Sequence, residues 1–176
     1  MSESNVLLSA VEMDRALARM AQDMLENHRG CEDLALVGIR TRGVFLAARI
    51  QDKMRETGCP DIPRGELDIS LYRDDWTRIS HHAVLQGTDI PFSIDKKVVI
   101  LVDDVLYTGR TVRAALDAVM DFGRPARVEL AVLADRGGRE LPISADYVGI
   151  RVDPGPGQRV NVYLAELDGL DEVRVS

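Results

Sequence analysis

Apolar residues follow two patterns along this chain. Residues 34–39 (LALVGI) and 98–102 (VVILV) carry no polar or charged side chain, as expected of strands buried on both faces of a parallel sheet. Residues 11–28 predict an amphipathic helix. Its apolar side chains lie near one face: Val11, Leu17, Met20, Ala21, Met24 and Leu25. A second helix is predicted at residues 44–54, directly after the first strand.

The rest of the chain continues this alternation. Helical spacing of apolar residues recurs at 111–120 (TVRAALDAVM), and strands are predicted at 66–72, 127–133, 146–150 and 159–165. Residues 73–87 are polar without a regular period, which is typical of lids and binding loops, and the adjacent His81 and His82 are predicted to be solvated. With neither a repeat nor a linker, residues 1–176 are predicted to form a single α/β domain, a parallel sheet flanked by helices.

Two adjacent carboxylates, Asp103 and Asp104, interrupt the pattern where the second buried strand is predicted to end. Ligands of open α/β sheets bind at the carboxyl ends of the strands. Ionised carboxylates accept hydrogen bonds from a sugar diol or coordinate Mg2+. The alternative is that the pair only caps the following helix.

A strand-to-helix turn, Thr108-Gly109-Arg110-Thr111, follows the two acids. The free N–H groups and the dipole of the helix, with two threonine hydroxyls, suit a phosphate monoester, although an ordinary turn has the same appearance. A P-loop is excluded because its lysine is missing, and no G-x-G-x-x-G fingerprint follows any predicted strand.

Two further strand ends carry charged side chains. Arg40, Thr41, Arg42 and Gly43 follow the first buried strand, and guanidiniums bind phosphate oxygens through paired hydrogen bonds. Asp135 and Arg136 follow strand 127–133, where the alternative to a functional role is a surface ion pair.

Composition narrows the class of protein. The chain has 176 residues, 45% of them hydrophobic, and a net charge of −7, which does not favour nonspecific nucleic-acid binding. Cys31 and Cys59 lie outside any metal-binding motif and are predicted to be free thiols. Neither a signal peptide nor a membrane-spanning run is recognised, so a cytoplasmic protein is expected.

Residues 98–111 (VVILVDDVLYTGRT) resemble the phosphoribosyl pyrophosphate (PRPP) signature of type I phosphoribosyltransferases, and their wording is most similar to the PyrR family. Three further segments agree: LALVGIRTRGVFLAARI from Leu34, LDISLYRDD from Leu67 and LADRGGRELPISADYVG from Leu133. The resemblance implies a type I phosphoribosyltransferase fold with a flexible hood over the C-terminal edge of the sheet. It implies a uracil phosphoribosyltransferase that also attenuates transcription by binding a leader mRNA, and a homo-oligomer.

The resemblance also assigns roles. The implied catalytic residues are Arg40, Asp103, Asp104 and the hood residue Arg73, with Asp74 beside it. The implied Mg2+ ligands are Asp103, Asp104 and Asp135. Base reading falls to Leu133, Ala134, Asp135 and Arg136. PRPP binding falls to two loops: Arg40, Thr41, Arg42 and Gly43, and then Val105, Leu106, Tyr107, Thr108, Gly109, Arg110 and Thr111.

The implied reaction joins N1 of uracil to C1 of PRPP, giving UMP and pyrophosphate without a covalent nucleophile. Several RNA-contacting positions depart from the family pattern: Ala18, Gln22, Leu85, Gly138 and the stretch RVDPGPGQ after Gly149, although Arg19 is retained. Each departure removes a donor or a charge. Three hypotheses stay open: a uracil enzyme, an RNA-binding regulator with little catalysis, and a phosphoribosyltransferase for a purine or orotate.

Overall fold

The computed structural model describes residues 5–70 and 87–176. Its eight strands and four helices are β1 (Asn5–Leu8), α1 (Ala10–His28), β2 (Leu34–Ile39), α2 (Arg42–Glu56), β3 (Arg64–Leu67), β4 (Val98–Leu106), α3 (Arg110–Met120), β5 (Arg127–Asp135), β6 (Tyr147–Arg151), β7 (Val160–Tyr163), α4 (Ala165–Asp168) and β8 (Glu172–Val175).

The main sheet has five strands in the order β3-β2-β4-β5-β6, and every neighbouring pair is parallel. This confirms the predicted parallel α/β sheet, with β2 at its predicted bounds. The carboxyl ends of β2, β3, β4 and β5 therefore meet at one edge.

Strand β4 continues past the point where the sequence predicted its end. Its pairing with β2 stops at Val102, opposite Gly38, whereas its pairing with β5 continues to Leu106, opposite Asp135. The two acids therefore lie within the strand, not after it. At the acids, β4 is paired with β5 and no longer with β2.

A second sheet was not predicted. The strands β1, β8 and β7 form a three-stranded antiparallel sheet from both ends of the described chain. Strand β7 falls within the strand predicted at 159–165, whereas β1 and β8 were not predicted; each has only four residues, too few for a clear alternation, and they pair from opposite ends of the chain. Strands β7 and β8 with α4 form a small C-terminal unit, here defined as residues 160–175, and β1 pairs with its β8.

Helices cover both faces of the main sheet. Helices α1 and α2, together with the C-terminal unit, pack on the face that carries Leu36 and Ile100, while α3 packs on the face that carries Val37 and Leu101. Val11, which was predicted to lie on the apolar face of the first helix, is 60% exposed, and Met120, the last residue of the predicted helical spacing, is 51% exposed. Both stand at the ends of their helices, where the neighbouring elements no longer cover them.

The prediction of free thiols is also wrong, because Cys31 and Cys59 form a disulfide. Cys31 follows α1 and Cys59 follows α2, and the two helices pack side by side. Their ends bring the two Cα atoms to 6.5 Å, within the range that a disulfide bridges. This proximity is tertiary and leaves no mark in the spacing. Separately, none of the helices in the described part of the chain is long and apolar enough to cross a membrane.

Candidate functional site

A polar cavity of about 510 Å³ opens at the C-terminal edge of the parallel sheet. It brings together the turn after β2, the segment after β3 and the acids of β4, as the sequence predicted for the first and the last. Its lining residues are Arg40, Thr41, Arg42, Asp68, Ile69, Ser70, Asp103, Asp104, Val105 and Thr111.

The two acids differ in their surroundings. Asp103 is 6% exposed, and its Oδ1 accepts a hydrogen bond from the Asp104 N–H at 2.9 Å. Burial, and then the charge of Asp104, hold the pKa of Asp103 well above its ordinary value. Asp104 is half-buried, and its Oδ1 accepts from the Val105 N–H at 2.8 Å. Asp103, the buried member of the pair, therefore tends to keep its proton.

The turn after β2 packs directly against β4 beside these acids. A Cβ atom at Gly43 would lie 2.2 Å from the carbonyl oxygen of Val102 and 3.3 Å from the Cα of Asp103. Only hydrogen fits there. Gly43 thus lets the first turn of α2 approach the acid pair.

The arginines of this turn have partners within the protein. Arg40 Nη2 pairs with Glu66 at 2.7 Å, and the Arg40 side chain is 44% exposed. The Arg42 guanidinium lies on the C-terminal unit, where Nε donates to the Val162 carbonyl at 2.8 Å and Nη2 lies 3.1 Å from Asp168 Oδ1. Arg42 lines the cavity, and its guanidinium is bonded to the C-terminal unit.

The predicted phosphate turn begins α3. Gly109 has a φ of +93°, a left-handed conformation that favours glycine, and the Arg110 N–H donates to Thr108 Oγ1 at 3.2 Å. The N-terminus of the 11-residue helix faces the same edge of the sheet as the acids. Leu106, which the sequence also assigned to PRPP, is 1% exposed in the core, so its side chain is part of the fold.

The segment after β5 is fastened by Arg139. Its guanidinium donates to Asp135 Oδ2 at 2.7 Å, to the Tyr107 carbonyl at 2.9 Å and to the Ile143 carbonyl at 2.9 Å. Burial alone would raise the pKa of Asp135, but Arg139 and the Gly137 N–H more than offset it, and the pKa is lowered. The ion pair of Asp135 is thus with Arg139. The sequence analysis did not single out Arg139.

Arg136 stacks on the ring of Tyr107, with its Cζ atom 3.9 Å from the ring centroid. Its Nε is buried and makes no hydrogen bond to any described residue. Gly138 lies against the same ring, so that a Cβ atom there would be 2.6 Å from Tyr107 Cε2. A larger residue at position 138 would therefore displace the ring.

Some predicted residues lie outside the described ranges: Arg73, Asp74, His81, His82 and Leu85. Asp68 and Ser70, in contrast, line the cavity but were not predicted as site residues. The sequence placed them inside a strand at 66–72, whereas β3 ends at Leu67. The rule that parallel strands present their carboxyl ends to ligands finds them once that end is known.

A metal site made from the protein alone does not form in the described segments. Across residues 5–70 and 87–176, no group of three or more His, Cys, Asp or Glu side chains is arranged to hold a metal ion. The predicted metal ligand Asp135 is engaged by Arg139 and the Gly137 N–H. Any cation at this edge would thus need oxygen ligands from a bound substrate.

Comparison with known proteins points to one family. The phosphoribosyl transferase domain model matches residues 5–163. The bifunctional protein PyrR of Desulfosudis oleivorans is 52% identical, and the match covers 100% of this chain and 98% of that protein. The bifunctional protein pyrR of Enterococcus faecalis is 49% identical, with 97% and 95% covered.

Solved structures agree on the fold. The hypoxanthine phosphoribosyltransferase of Trypanosoma cruzi superposes with a TM-score of 0.75 at 20% identity, covering 97% of this chain and 95% of that one. The hypoxanthine phosphoribosyltransferase of Staphylococcus aureus gives a TM-score of 0.69 at 19% identity, with 96% and 90% covered. At these identities the likeness concerns the fold alone.

Proposed function

The chain belongs to the PyrR family of phosphoribosyl transferases, and from this premise we propose that it transfers the phosphoribosyl group of PRPP to uracil, giving UMP and pyrophosphate. The observation that carries the proposal is the juxtaposition of three features at one sheet edge: the acid pair Asp103 and Asp104, the turn Arg40–Gly43 and the N-terminus of α3. A substrate with a diol, a pyrophosphate and a monoester needs all three.

The phosphate monoester binds at the start of α3. There the N–H groups that lack helical partners, the helix dipole and the hydroxyls of Thr108 and Thr111 favour an anion. Gly109, in its left-handed conformation, allows the chain to turn around the phosphate. The Leu106 side chain is buried in the core, so Leu106 contributes to this site only through its main chain.

The ribose hydroxyls bind to the acid pair. Asp104 is half-buried, and its carboxylate accepts hydrogen bonds from the ribose hydroxyls. It also stabilises the positive charge that develops on the sugar as pyrophosphate leaves. Asp103 lies behind it and holds the Asp104 main chain in place through the 2.9 Å hydrogen bond. No covalent nucleophile is needed, because the leaving group is already a stable anion.

The residues present fit a Mg2+ ion. Mg2+ is usually held by one or two carboxylates together with substrate phosphates, and Asp104 and Asp103 offer such a set beside the pyrophosphate turn. When bound with PRPP, the ion neutralises the charge that develops on pyrophosphate. Arg40, which is half-exposed at the cavity, contributes a second positive charge to the leaving group.

Uracil binds beside β5. Main-chain groups of Leu133, Ala134, Asp135 and Arg136 are the candidates for reading its edge, and Arg139 holds this segment to the turn at Tyr107. A short, rigid loop of this kind excludes water and orients N1 of the base toward C1 of the ribose. Base choice depends on these few main-chain contacts.

The direct test is a product assay. Purified protein is incubated with PRPP, Mg2+ and uracil, and UMP and pyrophosphate are quantified, with orotate and hypoxanthine as competing bases. We expect UMP from uracil alone and a loss of about 10²–10³-fold in kcat for Asp104→Asn. Asp153→Asn, which removes an exposed acid far along the chain, is the matched control and retains activity.

The outcomes separate the hypotheses. Product from orotate or hypoxanthine but not from uracil would identify a phosphoribosyltransferase for another base. No product from any base would reject the enzyme and favour the RNA-binding regulator.

RNA-dependent regulation is a second candidate because the relatives are named bifunctional PyrR. Against it, Arg19 is already engaged, since its Nη2 donates to the carbonyls of Val148 and Gly149 at 3.0 and 2.6 Å. A gel shift with a pyrimidine-operon leader RNA, with and without UMP, tests it. Size-exclusion chromatography with light scattering tests the homo-oligomer expected for the family.

A further inference from the structure

The guanidinium of Arg42 is hydrogen-bonded to the C-terminal unit, although its turn is expected to bind phosphates. We propose that Arg42 is a positioning residue, which ties the pyrophosphate turn (residues 40–43) to the C-terminal unit through Asp168 and does not itself touch PRPP. The inference rests on the proposed function in one respect only, that the turn binds pyrophosphate.

Three hydrogen bonds hold the guanidinium. Nε donates to the Val162 carbonyl at 2.8 Å, and Nη2 donates to Oδ1 and Oδ2 of Asp168 at 3.1 and 3.2 Å. The side chains of Arg42 and Asp168 are 33% and 21% exposed, so water replaces these bonds only in part. For Arg42 to reach a phosphate, all three bonds would have to break.

The acceptor side of this contact is held in place as well. Asp168 Oδ2 accepts from the Leu164 N–H at 2.8 Å, and the Asp168 N–H donates to the Leu164 carbonyl at 2.7 Å. Val162 is in β7, opposite Val173 of β8. Arg42 is thus attached to a small, internally bonded unit, as a positioning contact requires.

Apart from Arg42, the side chains at the start of α2 give the turn little support on the side of the C-terminal unit. Thr41 precedes α2 without a side-chain capping bond, and Gly43 has no side chain. Gly43 nevertheless lies so close to β4 that a Cβ atom there would be 2.2 Å from the Val102 carbonyl oxygen. A contact that holds the turn against β4 would therefore stabilise the site. Arg42 makes such a contact, because it joins the turn to the C-terminal unit.

A matched control lies two helical turns further along α2. Arg49, also in α2, binds the same unit through Glu166 at 2.6 Å and Asp171 at 2.7 Å. Glu166→Gln therefore weakens the docking of the unit on α2 at a distance from the turn, whereas Asp168→Asn weakens it at the turn. The two variants remove the same kind of charge from the same unit.

The two roles of Arg42 predict opposite results for Asp168→Asn. If Arg42 positions the turn, the KM for PRPP and the dissociation constant of pyrophosphate both rise about tenfold, with the KM for uracil unchanged within about twofold. If Arg42 is a phosphate ligand held in reserve, Asp168→Asn releases it, and pyrophosphate binds as tightly as before or more tightly.

The experiment compares wild type, Asp168→Asn, Glu166→Gln, Arg42→Lys and the double variant Arg42→Lys/Asp168→Asn. Calorimetry with pyrophosphate and with PRPP gives affinities without turnover, and thermal unfolding confirms that each variant is folded at the assay temperature. We expect a loss of affinity in Asp168→Asn, none in Glu166→Gln, and no further loss when Arg42→Lys is added, because both changes break one contact.

Hydrogen exchange of the free protein gives a readout that needs no ligand. The amides of residues 42–46 should exchange faster in Asp168→Asn than in wild type or Glu166→Gln. Equal exchange in the two acid variants, or an equal loss of pyrophosphate affinity in both, would overturn the inference. If wild type binds no PRPP, the proposed function fails, and the exchange comparison still decides whether Arg42 positions the turn.

Discussion

Replacing Gly43 by alanine adds one methyl group where the first turn of α2 meets the backbone of β4. The new Cβ would lie 2.2 Å from the Val102 carbonyl oxygen, whereas ordinary contact begins at 3.4 Å, so the two segments must separate by about 1.2 Å. The Val102 carbonyl belongs to the strand and cannot rotate away without disturbing its pairing with β2. The shift therefore falls on the pyrophosphate turn and on the acid pair next to it.

Two quantities follow from this displacement. Overpacking of this kind costs about 1–3 kcal/mol of stability, which lowers Tm by about 2–12 °C for a chain of this size. A displacement of about 1 Å between the turn and the acids lowers kcat/KM for PRPP by about 10²-fold in the molecules that remain folded. Thermal unfolding measures the first, and initial rates well below Tm measure the second.

Gly155→Ala is the matched control. Its Cβ would meet only the flexible side chain of Gln158, at 3.1 Å, in a loop away from the cavity. We expect wild-type rates and a small change in Tm. The reasoning about Gly43 would be refuted if Gly43→Ala lost stability but kept the kcat/KM of wild type, because the close approach would then serve folding alone.

Three further predictions concern other parts of the molecule. Reduction of the Cys31–Cys59 disulfide, which spans 28 residues, should lower the free energy of unfolding by about 3–4 kcal/mol and Tm by about 6–16 °C. The double serine variant should have the lower Tm with or without reductant. If reductant left the Tm of wild type unchanged, the disulfide would be contradicted. Asp103→Asn should raise Tm near neutral pH in metal-free buffer, because burial and the charge of Asp104 raise the pKa of Asp103 in the folded state, so that its ionisation opposes folding. The gain in Tm should shrink as the pH falls through that pKa, because the folded protein then holds the Asp103 carboxyl protonated. A gain that does not depend on pH would argue against this cause. Arg139→Ala should raise the KM for uracil about 10–100-fold and leave the KM for PRPP within about threefold, as measured by initial rates; an equal change in both would mean that Arg139 supports the fold in general.

The sequence predicted best where a single element carries its own signal. Strand β2 and helix α3 follow from uninterrupted apolar runs and from helical spacing, and the acid pair between a buried strand and a helix led to the cavity edge. Asp68 was missed because a strand end is set by its partner, and β3 ends where its pairing with β2 ends, at Leu67 opposite Ile39.

Contacts between distant segments were beyond prediction from one sequence. Cys31 and Cys59 are joined by the packing of two helices, and Arg42 meets Asp168 across 126 residues. Neither pair has a periodicity or a spacing that marks it. The charge of Arg42 suggested a phosphate ligand because, from sequence, an arginine beside a phosphate turn has the same appearance whether it faces the ligand or the protein.

The ion pairs of the C-terminal unit offset part of the folding stability that is lost at the site. Asp103 is buried beside another carboxylate, and Gly43 holds two backbones at a distance that no other residue permits; both features oppose or restrict folding at the place where PRPP is expected to bind. On the other side of α2, Arg42 and Arg49 are bonded to Asp168, Glu166 and Asp171. Arg49 donates hydrogen bonds to Glu166 and Asp171, and these bonds, that to Glu166 first, raise the pKa of Arg49, so they stabilise its ionised form throughout the neutral range. Because these ion pairs fasten the same helix whose first turn forms the cavity, a change in the C-terminal unit reaches the site through α2 without touching any ligand.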